Sequence, residues 1–321
     1  LVTMLLVAST FIGSVYVLSE KAHVSMEWIY DFLSKKNIIR LKIFTSLLSL
    51  LFFLILFYFG FLMVEEAFTK NYSILMDLPM FWDPKLLEKD IHKVSFYPEM
   101  QSRFGIIERM ASGNTIRWFK ADPCYIYHVI NSWEEEQEIV LDVCRMSSPV
   151  PSKNIRQKLS GPYGAMLAWL KLDACYHRYR FNLETGETKE ERLNDLLSEF
   201  PVINNRFGGL SSRYSYHVTL ADTGVILFDG LVKMDSVTGK SQNYKFPKGE
   251  YGSELQFAPR NNCHSEDDGY LITFVTNMES GKGEIQVFPA EDPSKGPLSR
   301  IIVPQQIPPG FHSSYVLPEN L

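Results

Sequence analysis

Cys124–Met146 reads CYIYHVINSWEEEQEIVLDVCRM. From Cys124 to Ile130 the residues alternate, so successive side chains of an extended strand face opposite ways. On this reading His128 shares the apolar, inward face with Cys124, Ile126 and Ile130. An acidic turn follows, and Ile139–Val143 returns as a second apolar strand. A lone His in such a strand is either a hydrogen-bonded core residue or a ligand, and periodicity by itself favours the core.

Outward from this pair, residues 100–321 are punctuated by turn signals at short spacing. These are Ser112-Gly113-Asn114, Thr185-Gly186, Asp222-Thr223-Gly224, Thr238-Gly239, Asp267-Asp268-Gly269 and Ser280-Gly281. Short apolar or alternating runs lie between them, among them Val225–Phe228, Tyr270–Val275 and Glu284–Phe288. Many short strands at this spacing predict a mainly β propeller or sandwich. No tight internal repeat is visible, so the pattern does not choose between the two.

The chain of 321 residues carries a net charge of −5 and shows no basic patch, which argues against a nucleic-acid partner. Cys124, Cys144, Cys175 and Cys263 form no CxxC pair and read as reduced, mostly buried thiols. The first residue is Leu1, which points to a start upstream.

A different solvent shapes residues 1–66. Ile43–Val64, IFTSLLSLLFFLILFYFGFLMV, has no charge along its length. It is long enough to cross a hydrocarbon core, which takes ~20 residues. Apolar side chains cover every face, so a transmembrane helix fits better than a buried core helix. Leu1–Leu18 reads as a second span. The segment between them is amphipathic and carries Lys21, Lys35, Lys36, Arg40 and Lys42, which places it on the cytoplasmic side. His23 there reads as a solvated interfacial residue. A signal peptide is disfavoured, because no basic start and no small-residue cleavage site is present.

Three short motifs give the soluble part an identity. They are Arg117-Trp118-Phe119, Cys124-Tyr125-Ile126-Tyr127-His128 and Asn131-Ser132-Trp133-Glu134. Together they resemble the Arg-Trp-Phe, Cys-Tyr-x-Phe-His and Asn-Ala-Trp-Glu pattern of the carotenoid cleavage oxygenase family. The resemblance runs over roughly Phe68–Leu321. It implies a seven-bladed β-propeller with Fe(II) on its axis, held by four His. Thr69-Lys70-Asn71-Tyr72 and Asp77-Leu78-Pro79 fit the same family, and Pro308-Pro309-Gly310-Phe311-His312-Ser313 resembles its last ligand motif, with Ser313 in place of Gly.

The resemblance makes His128 and His312 iron ligands and catalytic residues. It makes Glu199, in Glu199-Phe200-Pro201-Val202-Ile203-Asn204, and Glu254, in Tyr251-Gly252-Ser253-Glu254, the carboxylates that orient them. A ligating His gives one nitrogen to the metal and donates the other N–H to such a group. Two further ligands are missing. Val64 stands at the expected position of one, and transporter-like sequence replaces the other. His177 reads as exposed, His217 as a core residue, and His92 and His264 as polar-loop residues. Glu134–Glu136 and Glu266–Asp268 read as solvated turns. No Ser/His/Asp or Cys/His arrangement is legible.

Residues 1–66 resemble the small membrane subunit of TRAP-type dicarboxylate transporters. Gly13-Ser14-Val15-Tyr16-Val17-Leu18, Lys21-Ala22-His23-Val24 and Trp28–Leu33 carry that likeness. The expectation is two domains, a membrane segment over 1–66 and an N-terminally truncated propeller over 67–321, joined near Glu65–Phe68. The join sets up a conflict of sides, because a propeller following 43–64 emerges on the outer face.

Three functions stay open at this point. One is oxidative cleavage of an apolar polyene or stilbene-like substrate with O2, weakened by a half-set of ligands. Another is a membrane transport subunit with a fused domain. The third is a catalytically dead propeller that binds a ligand.

Overall fold

The computed structural model describes Lys36, Asn37 and residues 67–316, apart from 83–84, 86–87, 89–93, 112, 151–171, 224–225, 306, 308–309 and 311. The predicted spans 1–18 and 43–64, with Val64, His23 and His92, lie outside the described residues. Among the described residues no helix is long and apolar enough to cross a membrane. The chain divides into two compact units, Leu1–Glu66 and Ala67–Leu321.

The second unit is mainly β. Strands β1 (Tyr72–Asp77), β4 (Ser102–Glu108) and β5 (Arg117–Ala121) form a three-stranded antiparallel sheet, and a hairpin of β2 (Met80–Trp82) and β3 (Val94–Phe96) is inserted within it. Then come three four-stranded antiparallel meanders. The first is β6 (Tyr125–Glu135), β7 (Glu138–Met146), β8 (Cys175–Asn182) and β9 (Thr188–Arg192). The second is β10 (Ser198–Val202), β11 (Tyr214–Leu220), β12 (Phe228–Asp235) and β13 (Ser241–Lys245). A short β14 (Glu250–Gly252) bridges β12 to the third meander. That meander is β15 (Gln256–Pro259), β16 (Gly269–Asn277), β17 (Lys282–Pro289) and β18 (Ser299–Val303).

The sheets stack face to face, and this explains the sequence pattern. Phe104, Ile106 and Phe119 of the first sheet pack on Leu141, Val143, Tyr179 and Phe181 of the next. The opposite face of that meander gives Cys144, Met146 and Tyr176, which meet Val232 and Met234. Tyr216, Val218 and Leu231 in turn meet Phe257, Leu271 and Phe288. A strand such as β7 is therefore covered on both faces and reads as a largely apolar run, broken by the buried Asp142, and not as an alternation. Stacked four-stranded meanders of this kind are the blades of a propeller-like fold.

Burial also orders the strands within each blade. The fourth strands β9, β13 and β18 are almost wholly exposed, whereas β6, β10 and β15 are largely buried. The exposed edge of each blade is thus its fourth strand, and the first strands β6, β10 and β15 lie on the covered side.

The structure corrects one expectation. His128 does not share a face with both Ile126 and Ile130. The register of β6 on β7 slips between Ile126 and Val129 and again between Val129 and Asn131. Cys124 and Ile126 consequently pack in one core cluster and Ile130 in another. His128 sits in the bulged stretch, where an inserted residue breaks the alternation and re-aims a side chain.

Candidate metal centre

The first strands of the blades bring the predicted residues together. His128 lies on β6, Glu199 on β10, and Glu254 two residues before the start of β15. His128 Nδ1 is 2.6 Å from Glu199 Oε2. An ionised carboxylate only accepts, so His128 donates from Nδ1, and in the neutral imidazole that tautomer leaves the lone pair on Nε2. Glu199 is fully buried, and its Oε2 also accepts the Phe200 N–H at 2.7 Å. That second bond follows from local backbone. The β10–β11 register slips between Glu199 and Val202, and Phe200 takes a left-handed φ of 51° next to Pro201, which has no N–H for the ladder.

His312 arrives from the C-terminal segment. Its ring centroid is 5.3 Å from that of His128, and the Phe200 ring touches both imidazoles, at 4.5 Å and 5.6 Å. His312 Nδ1 faces Glu254 Oε1 at 3.8 Å, beyond hydrogen-bond reach, while Glu254 Oε2 accepts the Ser313 N–H at 2.6 Å. The His312 side chain is 68% exposed, against 22% for His128. Its backbone is left-handed, with φ 59°.

Two imidazoles with their Nδ1 atoms turned to carboxylates fit a metal on the Nε2 side. A further observation supports the fit. Glu199 Oε1 is buried with no hydrogen-bond partner, and a cation beyond His128 would offset that buried negative charge. Among the described residues no group of three or more His, Cys, Asp or Glu is placed so that it could hold a metal ion. The pair His128 and His312 is therefore what the described residues offer.

Other titratable residues depart from their sequence reading. Glu134 is not a solvated turn residue. It lies on β6 and accepts from Thr69 Oγ1 at 2.6 Å, Asn71 N at 2.7 Å and Asn71 Nδ2 at 2.8 Å. Burial opposes its ionisation, but these bonds hold its carboxyl below the usual range. Its neighbours Ser132 and Asn131 also reach across the fold. Ser132 Oγ donates to Phe68 O, and the Asn131 amide donates to Phe207 O, Leu210 O and Ser212 Oγ and accepts from Gly209 N. This motif thus ties the His128 strand to the segments before β1 and between β10 and β11.

The second acidic turn is also engaged. Glu266 accepts the Arg213 and Tyr214 N–H groups, Asp267 pairs with Lys233, and Asp268 pairs with Arg260. His177 is half-buried, 3.5 Å from Glu190, and not exposed.

His217 is fully buried, as a core residue should be. Its Nε2 is 2.8 Å from Ser215 Oγ, and its Nδ1 is 3.3 Å from Ser198 Oγ and 3.6 Å from Cys144 Sγ. A Cys/His pair does therefore exist. Burial pulls His217 down to about 3 and pushes the Cys144 thiol well up, with the Glu199 charge adding to the latter. Both stay neutral and shielded from solvent, so the pair is structural. Its members are 73 residues apart, and nothing in the sequence links them.

Fold and site together define a propeller-like protein with a facing pair of histidines backed by carboxylates. Residues 61–317 match the family described as retinal pigment epithelial membrane protein, and the chain belongs to that family, the carotenoid cleavage oxygenases. Residues 1–83 match the DctQ component of tripartite ATP-independent periplasmic transporters, so the two matches overlap over 61–83. A carotenoid 9,10(9',10')-cleavage dioxygenase of Pisum sativum is 36% identical over 278 residues, covering 81% of this chain and 50% of that protein. A lignostilbene dioxygenase of Pseudomonas brassicacearum superposes with a TM-score of 0.67 at 20% identity, over 78% of this chain and 54% of that one. Cobalt-substituted apocarotenoid oxygenase of Synechocystis gives 0.66 at 19%, over 77% and 51%. The chain spans about half the length of the curated relatives it matches.

Proposed function

We propose that residues 67–321 are the C-terminal part of a non-haem Fe(II) dioxygenase. It would cleave an alkene bond of an apolar carotenoid, apocarotenoid or stilbene-like molecule into two carbonyl products with O2. The observation that carries this reading is the facing pair His128 and His312, each with Nδ1 turned to a carboxylate. Their Nε2 atoms would hold iron, which when bound supplies the activation of O2. Glu199 fixes the tautomer and direction of the His128 ring. Glu254 fixes the backbone beside His312. Phe200 lies against both rings and keeps that side of the pair dry.

Two imidazoles are half of the ligand set that the resemblance implies, so this chain alone should hold iron weakly and turn over poorly. The test is anaerobic loading of the 321-residue chain with Fe(II), followed by O2 and an apocarotenoid or a hydroxystilbene. Weak iron uptake that H128A abolishes supports the reading. Uptake indifferent to H128A contradicts it.

The transporter match over residues 1–83 favours a second reading, a TRAP-type membrane subunit with a fused, catalytically silent propeller. In either case the N-terminal segment would anchor the chain to a membrane. Restoration of dicarboxylate uptake in a strain lacking the small subunit would select the transporter reading.

A further inference from the structure

Residues 312–316, which bring His312 to the site, belong to no strand. Their neighbourhood is held by side chains in place of a backbone ladder. The Gly310 N–H donates to Ser253 Oγ at 3.0 Å, the Ser313 N–H to Glu254 Oε2 at 2.6 Å, and the Tyr315 N–H to Gln256 Oε1 at 3.2 Å. The three donors lie two residues before His312, one after and three after. The three acceptors come from one short run, Ser253–Gln256, at the entrance to strand β15.

That run is itself anchored. Ser253 is buried. Its N–H donates to Phe274 O at 2.8 Å, and its carbonyl accepts Thr273 Oγ1 at 2.9 Å. The Gln256 amide donates to Leu255 O at 2.7 Å, which turns Oε1 toward Tyr315. His312 needs such support. It is mostly exposed and holds a left-handed backbone, a conformation that persists in a non-glycine residue when its surroundings over-determine it.

We propose that Ser253 and Gln256 are positioning residues for His312. With Glu254 between them, they pin the C-terminal strap on both sides of the imidazole and pre-set it opposite His128. Neither side chain touches a metal; each acts through His312. The second half of the proposal rests on reading His312 as a ligand, whereas the pinning does not.

The test uses the full chain with S253A, Q256A and their combination, beside the conservative S253T and Q256E, which keep an acceptor oxygen. Without metal, hydrogen exchange at Gly310 and Tyr315 should rise roughly three- to tenfold in the Ala variants, the scale of one lost hydrogen bond. Exchange in β6 and β7 should stay constant, and S253T and Q256E should restore protection. Cobalt(II) affinity, followed by visible absorption, should fall by a similar factor in the Ala variants, but not when they are placed in an H312A background. Unchanged strap exchange overturns the pinning. Raised exchange with unchanged cobalt affinity overturns the positioning role, provided H312A alone weakens cobalt. If H312A leaves cobalt affinity intact, the ligand reading itself has failed, and the imidazole has nothing to be positioned for.

Discussion

The two halves of the candidate centre are built in opposite ways. His128 stands on the largely buried strand β6, in a bulge, with its Nδ1 hydrogen bonded to a carboxylate that no solvent reaches. His312 stands on a strap outside the sheets, exposed, and its carboxylate holds the next residue's N–H more closely than the imidazole. The first half is set when the sheet folds. The second is set by a few side-chain bonds and has room to tighten. One imidazole of the pair is thus fixed by the sheet, and the other by hydrogen bonds that the strap carrying it donates to Ser253, Glu254 and Gln256.

The largest effect that would sharpen this contrast is on the rigid side. E199A strips the partner from His128 Nδ1 and from the Phe200 N–H and leaves a buried void. It should destabilise the unit by about 3 kcal/mol in denaturant unfolding, with E199Q milder. A loss below about 1 kcal/mol would mean that the buried pair is no more fixed than the strap.

Next comes pH. His217, behind the same blades, is held at about 3 by burial, against an ordinary 6.5. The unfolded state therefore takes up a proton, below pH 6.5, that the folded state refuses until near pH 3. Stability is full above pH 6.5 and falls as pH drops through that window. Between about pH 7 and 5 the loss should be roughly 2 kcal/mol, at about 1.4 kcal/mol per pH unit. H217Q should flatten this slope relative to wild type. Equal slopes would show that His217 reaches water.

The smallest effect is on the strap. E254A removes the acceptor for the Ser313 N–H at a partly solvated site, so global stability should change by less than about 1 kcal/mol. Exchange at Ser313 should rise while β6 amides stay protected. A cooperative loss of the whole unit would erase the distinction between the two halves.

Much of this fold is legible in the chain because turns are local. Thr185-Gly186 and Ser280-Gly281 do turn, with Gly186 and Gly281 in the left-handed region that their reading requires. The runs Tyr270–Val275 and Glu284–Phe288 fall within β16 and β17. The blade repeat stays hidden because burial, not a motif, is what recurs. Each blade has a buried first strand and an exposed fourth, and its two apolar faces erase the period of two.

His128, Glu199, Glu254 and His312 were reachable only through motifs, since their partners lie far apart in sequence. Non-local pairing also explains the misreadings. Glu134 finds Thr69 65 residues away. Two bulges turn His128 out of an alternation that the letters alone continue.

Whether the facing imidazoles hold the metal is decided by the iron content of the purified chain after anaerobic loading with Fe(II), beside H128A/H312A. Substoichiometric, readily chelated iron is expected in the wild type and none in the double variant. Iron retained equally by both would mean that His128 and His312 are not the metal's holders, and the reading of this unit as part of an iron oxygenase centre would fall.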